Sequence, residues 1–341
     1  MNPMNPKIIL VTGSFPPDVC GIGDYTHSLA LALERAGMKA EVLCHRSWSV
    51  SGTIQAIRRL LAEKHSLVHI QYPTMGYGFS LGPQFCALAK HSVITLHEFS
   101  FAHPLRKLSL LPFTMHSRHL VMTSEFEKQS LIAKMPWAAR RIRVIPIGSN
   151  IPPSRFLAGE ARKQIAYFGL VMPRKGLEDF IAFSELVRAA ELEWDLLIIG
   201  KIPPRHAAYA KGLMNSANSQ VNWLLDRSPE EISDVLCRTS LGYFPFPDGA
   251  SERRGSLKAA MAAGLPCITT RTEQTPMALA DAMAFASTPH EAFDLALRLM
   301  DAPAERNRLS QSALTYSQSF SWEKIAQAHI ELYRELNPSM G

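Results

Sequence analysis

Short apolar runs alternate with longer segments of helical spacing along the whole chain. Residues 7–11, 40–44, 67–70, 92–96, 119–122 and 143–145 each form a brief apolar stretch between polar or turn residues, and each predicts a strand. Between the first two, Tyr25, Leu29, Ala32, Leu33 and Ala36 share one stripe. That predicts a helix over about 24–36, with Gly37 at its C-terminal cap. Residues 146–164 are rich in Pro and Gly and lack periodicity, so a linker is expected there. The alternation then resumes, with strands predicted at 164–170, 194–199, 220–223, 241–244 and 266–270. Ser228-Pro229-Glu230-Glu231 and Thr288-Pro289-His290-Glu291 read as capping boxes. Residues 321–336 place Trp322, Ile325, Ile330, Leu332 and Tyr333 at helical spacing, so a last helix should pack on the body. This pattern predicts an α/β chain of two doubly wound parallel sheets covered by helices. Ligands are then expected at the carboxyl ends of the strands, in a cleft between the halves.

Composition narrows the choice of partners. With 341 residues and 47% hydrophobic content, the chain can fill two cores. The start, MNPMNPK, carries no apolar signal region, and no apolar run approaches the roughly 18 residues of a span, so a cytoplasmic location is expected. Five scattered cysteines without a C-x-x-C pair suggest buried thiols rather than a disulfide framework or a zinc site. The net charge of +6 favours anionic partners, yet the basic residues come in short pairs such as Arg174/Lys175 and Arg253/Arg254. A nucleic-acid binder would cluster them with stacking aromatics, so a phosphate-bearing small molecule or an anionic membrane surface fits better. Residues 104–119 (PLRKLSLLPFTMHSRH) fit an interfacial segment or a core-packed helix equally well.

Gly21-Ile22-Gly23 invites a dinucleotide reading. The fingerprint places its glycines directly after the first strand and an acid at the end of the second. Here a long Pro-containing loop intervenes, Thr26 stands in the third glycine position, and the second strand ends in Cys44-His45-Arg46. Arg46 could meet a 2′-phosphate, which keeps an NADP-dependent oxidoreductase open as an alternative. The two glycines still allow backbone to approach an anion ahead of a helix, or form a plain turn.

The motifs in order resemble a known family. SFPP and GIGDY after the first strand, VHIQYP (68–73), TLHEF (95–99), FGLVMPRKGLEDF (168–180), AAMAAGLP (259–266) and FSWEKI (320–325) are similar to segments of GT-B fold glycosyltransferases of family 4. The resemblance implies two Rossmann-like domains, 1–155 for the acceptor and 156–318 for the donor nucleotide, with a closing helix at 319–341. It implies a retaining, metal-independent transfer from a nucleotide-diphosphate sugar to a glycan or lipid-linked acceptor in bacterial surface-polysaccharide synthesis, with no cofactor beyond that co-substrate. On this resemblance Lys175 meets the diphosphate, His97 faces the transferred sugar, and Glu252 lies against sugar and phosphates. Gly21, Ile22, Gly23, Arg174, Arg253, Arg254, Gly255 and Ser256 line the nucleotide, while Gln71, Tyr72, Glu98 and the stretch Gly76-Tyr77-Gly78 are candidates for the acceptor side.

Two departures stand out. The arginine usual after the first glycine of the second domain is Leu170. The two glutamates eight positions apart fall on Ser251 and Ala259, with Glu252 one place off. Arg174, Arg253 or Arg254 could supply the missing charge. An alanine cannot accept ribose hydroxyls, so a non-catalytic sugar-nucleotide-binding or partner protein of the same fold is a further alternative.

Overall fold

The computed structural model describes residues 7–45, 47–100, 102–152, 163–273 and 275–337. Arg46 and part of the expected linker lie outside the described residues. The chain forms two compact units: one takes the chain up to Gly148 and resumes at Ser321, and the other runs from Ser149 to Phe320.

In the first unit the order is β1 (Ile8–Thr12), α1 (Gly21–Arg35), β2 (Ala40–Cys44), α2 (Val50–Ala62), β3 (Leu67–Tyr72), α3 (Gly82–Ala89), β4 (Ser92–Leu96), α4 (Pro104–Leu108), α5 (Leu111–His116), β5 (His119–Met122), α6 (Glu125–Ile132) and β6 (Ile142–Val144). All pairings are parallel, in the order β2-β1-β3-β4-β5-β6. Every residue of β1 is buried because helices cover both faces. Successive residues therefore enter different cores: Ile9 and Val11 face one, Ile8 and Leu10 the other.

The second unit contains β7 (Gln164–Leu170), α7 (Leu177–Ala189), β8 (Asp195–Lys201), α8 (Ala207–Ser216), β9 (Val221–Leu225), α9 (Pro229–Arg238), β10 (Leu241–Phe244), α10 (Gly255–Ala262), β11 (Cys267–Thr269), β12 (Met283–Phe285), α11 (Pro289–Asp301) and α12 (Pro303–Ser317). Its parallel sheet runs β12-β11-β10-β7-β8-β9, the other doubly wound order. The last helix, α13 (Trp322–Leu336), belongs to the first unit. Ile325, Ala326, Ile330, Leu332 and Tyr333 pack there with Tyr25 and Leu29 of α1. Tyr333 also bonds the buried His69 of β3, Oη to Nδ1 at 2.6 Å, and His69 Nε2 meets Thr95 Oγ1 at 2.7 Å.

Three local expectations change. Helix α1 begins at Gly21 rather than Asp24, because Cys20 takes the extended N-cap conformation without a side-chain cap bond. Gly37 follows its end with φ +82°, as a left-handed cap requires. The box at Ser228 closes as expected, whereas at Thr288 the Glu291 carboxylate bonds the Ser287 amide instead. Residues 104–119 are neither one interfacial helix nor one core helix: Leu110 and Phe113 are buried, while Leu105, Leu108 and Met115 are exposed.

Candidate functional site

In the first unit the strand order reverses between β1 and β3, the kind of position at which doubly wound sheets take their ligands, beyond the carboxyl ends of the strands. Their first residues are bound together. The Gly13 amide donates to Thr74 Oγ1 (3.0 Å) and the Gly76 amide to Ser14 Oγ (2.8 Å). A Cβ on Gly76 would lie 1.6 Å from the Gly13 carbonyl oxygen, so this glycine serves a backbone-on-backbone contact. Tyr77 is buried and donates to the Val11 carbonyl, whereas Gly76 and Gly78 on either side of it are exposed. The α1 glycines separate likewise. A Cβ on Gly23 would meet the Ser14 carbonyl at 2.9 Å, whereas one on Gly21 would meet nothing within 4 Å. Packing accounts for Gly23; Gly21 and Ile22 form the first turn of α1, where amides lack helical partners.

His97 follows β4, and its amide donates to the Tyr72 carbonyl at 2.8 Å. Its Nε2 donates to Gln71 Oε1 at 2.9 Å, and the edge of Tyr25 packs on the ring with centroids 4.8 Å apart. Burial pushes the imidazole down to about 3, with buried His329 adding to the effect, so His97 is neutral. The acceptor-side candidates diverge. Gln71 is fully buried against His97, Tyr72 is buried against Tyr77 and Phe113, and Glu98 is exposed. The next two residues are held by Glu127 of α6, which sequence reading passed over. Its buried carboxylate accepts from the Phe99 amide (2.8 Å), the Ser100 amide (2.9 Å) and Ser100 Oγ (2.7 Å).

In the second unit the reversal falls between β7 and β10, and the basic pairs lie on the loops that leave those two strands. After β7 the chain turns through Arg174, at φ +65°, and Gly176, at φ +80°, into α7. A Cβ on Gly176 would stand 1.8 Å from the Pro245 carbonyl oxygen, so the turn rests on the loop that follows β10. Arg174 is exposed and Lys175 half-buried. On the second loop Asp248 pairs with Arg254 and, at 3.6 Å, with Arg253. The Arg254 guanidinium also stacks over Phe246 at 4.4 Å. Arg254 is the N-cap of α10, and Gly255 and Ser256 open that helix. The positive charge of Arg254 acts on the buried phenol of Tyr167, whose Oη would stand 2.9 Å from a Cβ on Gly169. Of the three arginines considered as substitutes for a cation beside Gly169, Arg254 acts electrostatically on the phenol that lies next to that position.

Glu252 is engaged within its own unit. Tyr316 Oη donates to its Oε1 at 2.8 Å, and the same carboxylate opposes the effect of burial on Lys258. Lys258 is 2% exposed, stands 3.9 Å over the Phe320 ring, and is lowered to about 7 by burial. Nothing in the alanine-rich run of residues 259–263 signals that the lysine beside it is inside. Ser251, at the first glutamate position, is buried with its Oγ unpartnered among the described residues, and Ala259 is buried in the core. Among the described residues no group of three or more His, Cys, Asp or Glu is placed to hold a metal ion. No helix there is long and apolar enough to cross a membrane.

Two family models match this chain: "Glycosyltransferase Family 4" over residues 45–151 and "Glycosyl transferases group 1" over residues 162–301. No curated protein matches in sequence. Among solved structures, the sucrose-phosphate synthase of Thermosynechococcus elongatus superposes with a TM-score of 0.75 at 16% identity, covering 98% of this chain and 100% of that one. Anabaena HepE in complex with UDP and glucose gives 0.73 at 14% identity, covering 96% and 98%. A glycosyltransferase of Rickettsia africae gives 0.73 at 12%, covering 98% and 99%. At these identities the likeness establishes the shared fold.

Proposed function

The chain belongs to the GT4-like glycosyltransferases of GT-B fold, and from that premise we propose that it moves a sugar, with retention and without a divalent ion, from a nucleotide-diphosphate sugar to a hydroxyl of a glycan or lipid-linked acceptor. The observation that carries the reading is the second unit's switch point. Two arginines are held there by Asp248 and Phe246 at the start of α10, and the Arg174-Lys175 turn rests on the same loop. A diphosphate is the leaving group that such an arrangement stabilises, since charge grows on it as the sugar departs. The amides of α10's first turn, at Gly255 and Ser256, which have no partner within the helix, add to the same field.

In the transfer, the bond from the anomeric carbon to the diphosphate oxygen breaks while the acceptor oxygen bonds the same face of that carbon. The acceptor proton passes to the departing phosphate oxygen. Lys175 and Arg254 neutralise the diphosphate, and Glu252 supports the loop through Tyr316. The first unit takes the acceptor, and His97 contacts a sugar hydroxyl. HepE was solved with UDP and with UDP-glucose, which makes these the first ligands to test. A role in bacterial surface-polysaccharide synthesis, at the inner face of the cytoplasmic membrane, follows the family resemblance. Exposed Leu105, Leu108 and Met115, with Arg106 and Lys107 on the same segment, support contact with an anionic bilayer.

Ala259 supports one second reading, a protein of the same fold that binds a sugar nucleotide without turning it over. A thermal-shift panel of UDP, GDP, ADP, dTDP and NADPH tests binding, since a ligand at 100 times its Kd adds about 2.7 kcal/mol of stability. A shift with one nucleoside diphosphate, weakened in Lys175→Ala, is the expected result. A shift with NADPH alone would overturn the proposal.

A further inference from the structure

Gln71 is the fifth residue of β3, fully buried between Ile70 and Tyr72. A buried primary amide is costly unless its groups are partnered. Its Oε1 accepts from His97, yet its Nε2 has no partner among the described residues. An apolar side chain would fill this place without stranding an N–H, so core packing alone does not account for a glutamine.

What the amide does account for is the state of His97. A neutral imidazole carries one proton, and the nitrogen that faces a carbonyl oxygen must be the one that holds it. His97 is then protonated at Nε2, and its Nδ1 is a bare lone pair with no hydrogen bond among the described residues. The ring cannot easily turn. Its own amide is tied to the Tyr72 carbonyl, and the Tyr25 edge packs against it. The titratable groups around it are Tyr25 from α1, His69 from β3, His329 from α13 and Glu98 next along the chain. The first three are kept neutral by burial, and Glu98 is exposed.

We propose that Gln71 is a positioning residue: by accepting the Nε2 proton of His97 it presents Nδ1 as a pure acceptor, which takes a hydroxyl of the transferred sugar and disfavours a carboxylate there. The sugar half rests on the glycosyltransferase reading; the tautomer does not. A hydroxyl satisfies the lone pair by donating, whereas a carboxylate oxygen brings a second lone pair against it. The site should therefore prefer a neutral hexose to the corresponding uronate.

The experiment is a two-bond proton–nitrogen correlation spectrum of the full-length protein labelled at histidine nitrogen, with His97 assigned from the signal lost in His97→Asn. The expected pattern is a protonated Nε2 and a bare Nδ1, a tautomer mixture in Gln71→Leu, and a restored Nε2–H form in Gln71→Glu. In Gln71→Glu the new carboxylate also raises the imidazole toward the neutral range, so activity with UDP-glucose gains a pH dependence that a packing defect would not produce. A protonated Nδ1 in the wild type, or a Gln71→Leu spectrum identical to it, would overturn the proposal. If Gln71→Leu does not fold, the wild-type and Gln71→Glu spectra decide. UDP-glucuronate turned over as well as UDP-glucose would overturn the sugar half alone. The nitrogen pattern with no sugar transferred would leave Gln71 as the tautomer lock and remove the transferase reading.

Discussion

Removing the Glu127 carboxylate should release the segment beside His97 and leave the sheet intact. The two amides bonded to Oε2 belong to Phe99, which is 1% exposed, and to half-buried Ser100. In Glu127→Ala both lose their acceptor at a cost of roughly 1 to 3 kcal/mol each, while Ser100 Oγ can turn to water. A local loss of about 3 kcal/mol corresponds to a rise of roughly 10²-fold in exchange through local opening. Glu127→Gln separates this effect from cavity formation. Its amide oxygen keeps both backbone bonds and its nitrogen offers a proton to Ser100 Oγ, so only the charge assistance, about 1 kcal/mol, is lost. The assay is native-state hydrogen exchange at Phe99 and Ser100, with the β1 and β3 amides as internal reference. Equal exchange in the alanine and glutamine variants, or unchanged protection in both, would refute the assignment of Glu127 as the clamp of this segment.

Three further outcomes follow from the second unit. Arg254→Lys should weaken nucleoside-diphosphate binding roughly tenfold in calorimetry, because lysine keeps the charge but not the planar pairing with Asp248 and stacking on Phe246; unchanged affinity would remove Arg254 from the donor site. Burial holds Lys258 at about 7 against an ordinary 10.5, so between those values the unfolded chain binds a proton that the folded chain does not. This contribution makes stability rise with pH from about 7 to 10.5, and Lys258→Met should flatten the rise in thermal melts of the second unit; an identical pH slope in both proteins would contradict it. Gly176→Ala should lower the same transition, since alanine at a positive φ costs roughly 1 to 2 kcal/mol before the contact with the Pro245 carbonyl is counted; an unshifted melt would show that the turn yields freely.

Local signals carried the fold. Strands β2, β4, β5, β7 and β10 coincide with apolar runs because buried parallel strands are short, nearly continuous and flanked by breakers. Among the described strands β12, three residues long, was passed over, although it lies within the apolar stretch 282–286. The start of α1 was misplaced because its N-cap is a cysteine without a cap bond. The candidate site was legible only where a residue type is itself a signal, as with the basic pairs and the strand-end histidine. Glu127 sits 28 residues from Phe99, and Lys258 62 residues from Phe320, so neither relation leaves a mark within a local window. The same holds for Gly176, which reads as an ordinary helix start until the Pro245 carbonyl lies against it. Tyr72 and Tyr77 show the converse: both stand among the acceptor-side candidates, yet their side chains are core.

Nucleoside-diphosphate release from UDP-glucose and related donors, followed for the wild type and Lys175→Ala with candidate acceptors present, decides whether this chain transfers sugar through its second-unit basic turn. Release coupled to sugar transfer is expected in the wild type, with kcat/KM lower by roughly 10²-fold or more in the variant, the scale for losing one strong transition-state donor. Equal turnover by the two proteins, or binding of a nucleoside diphosphate with no sugar transferred to any acceptor, would contradict it.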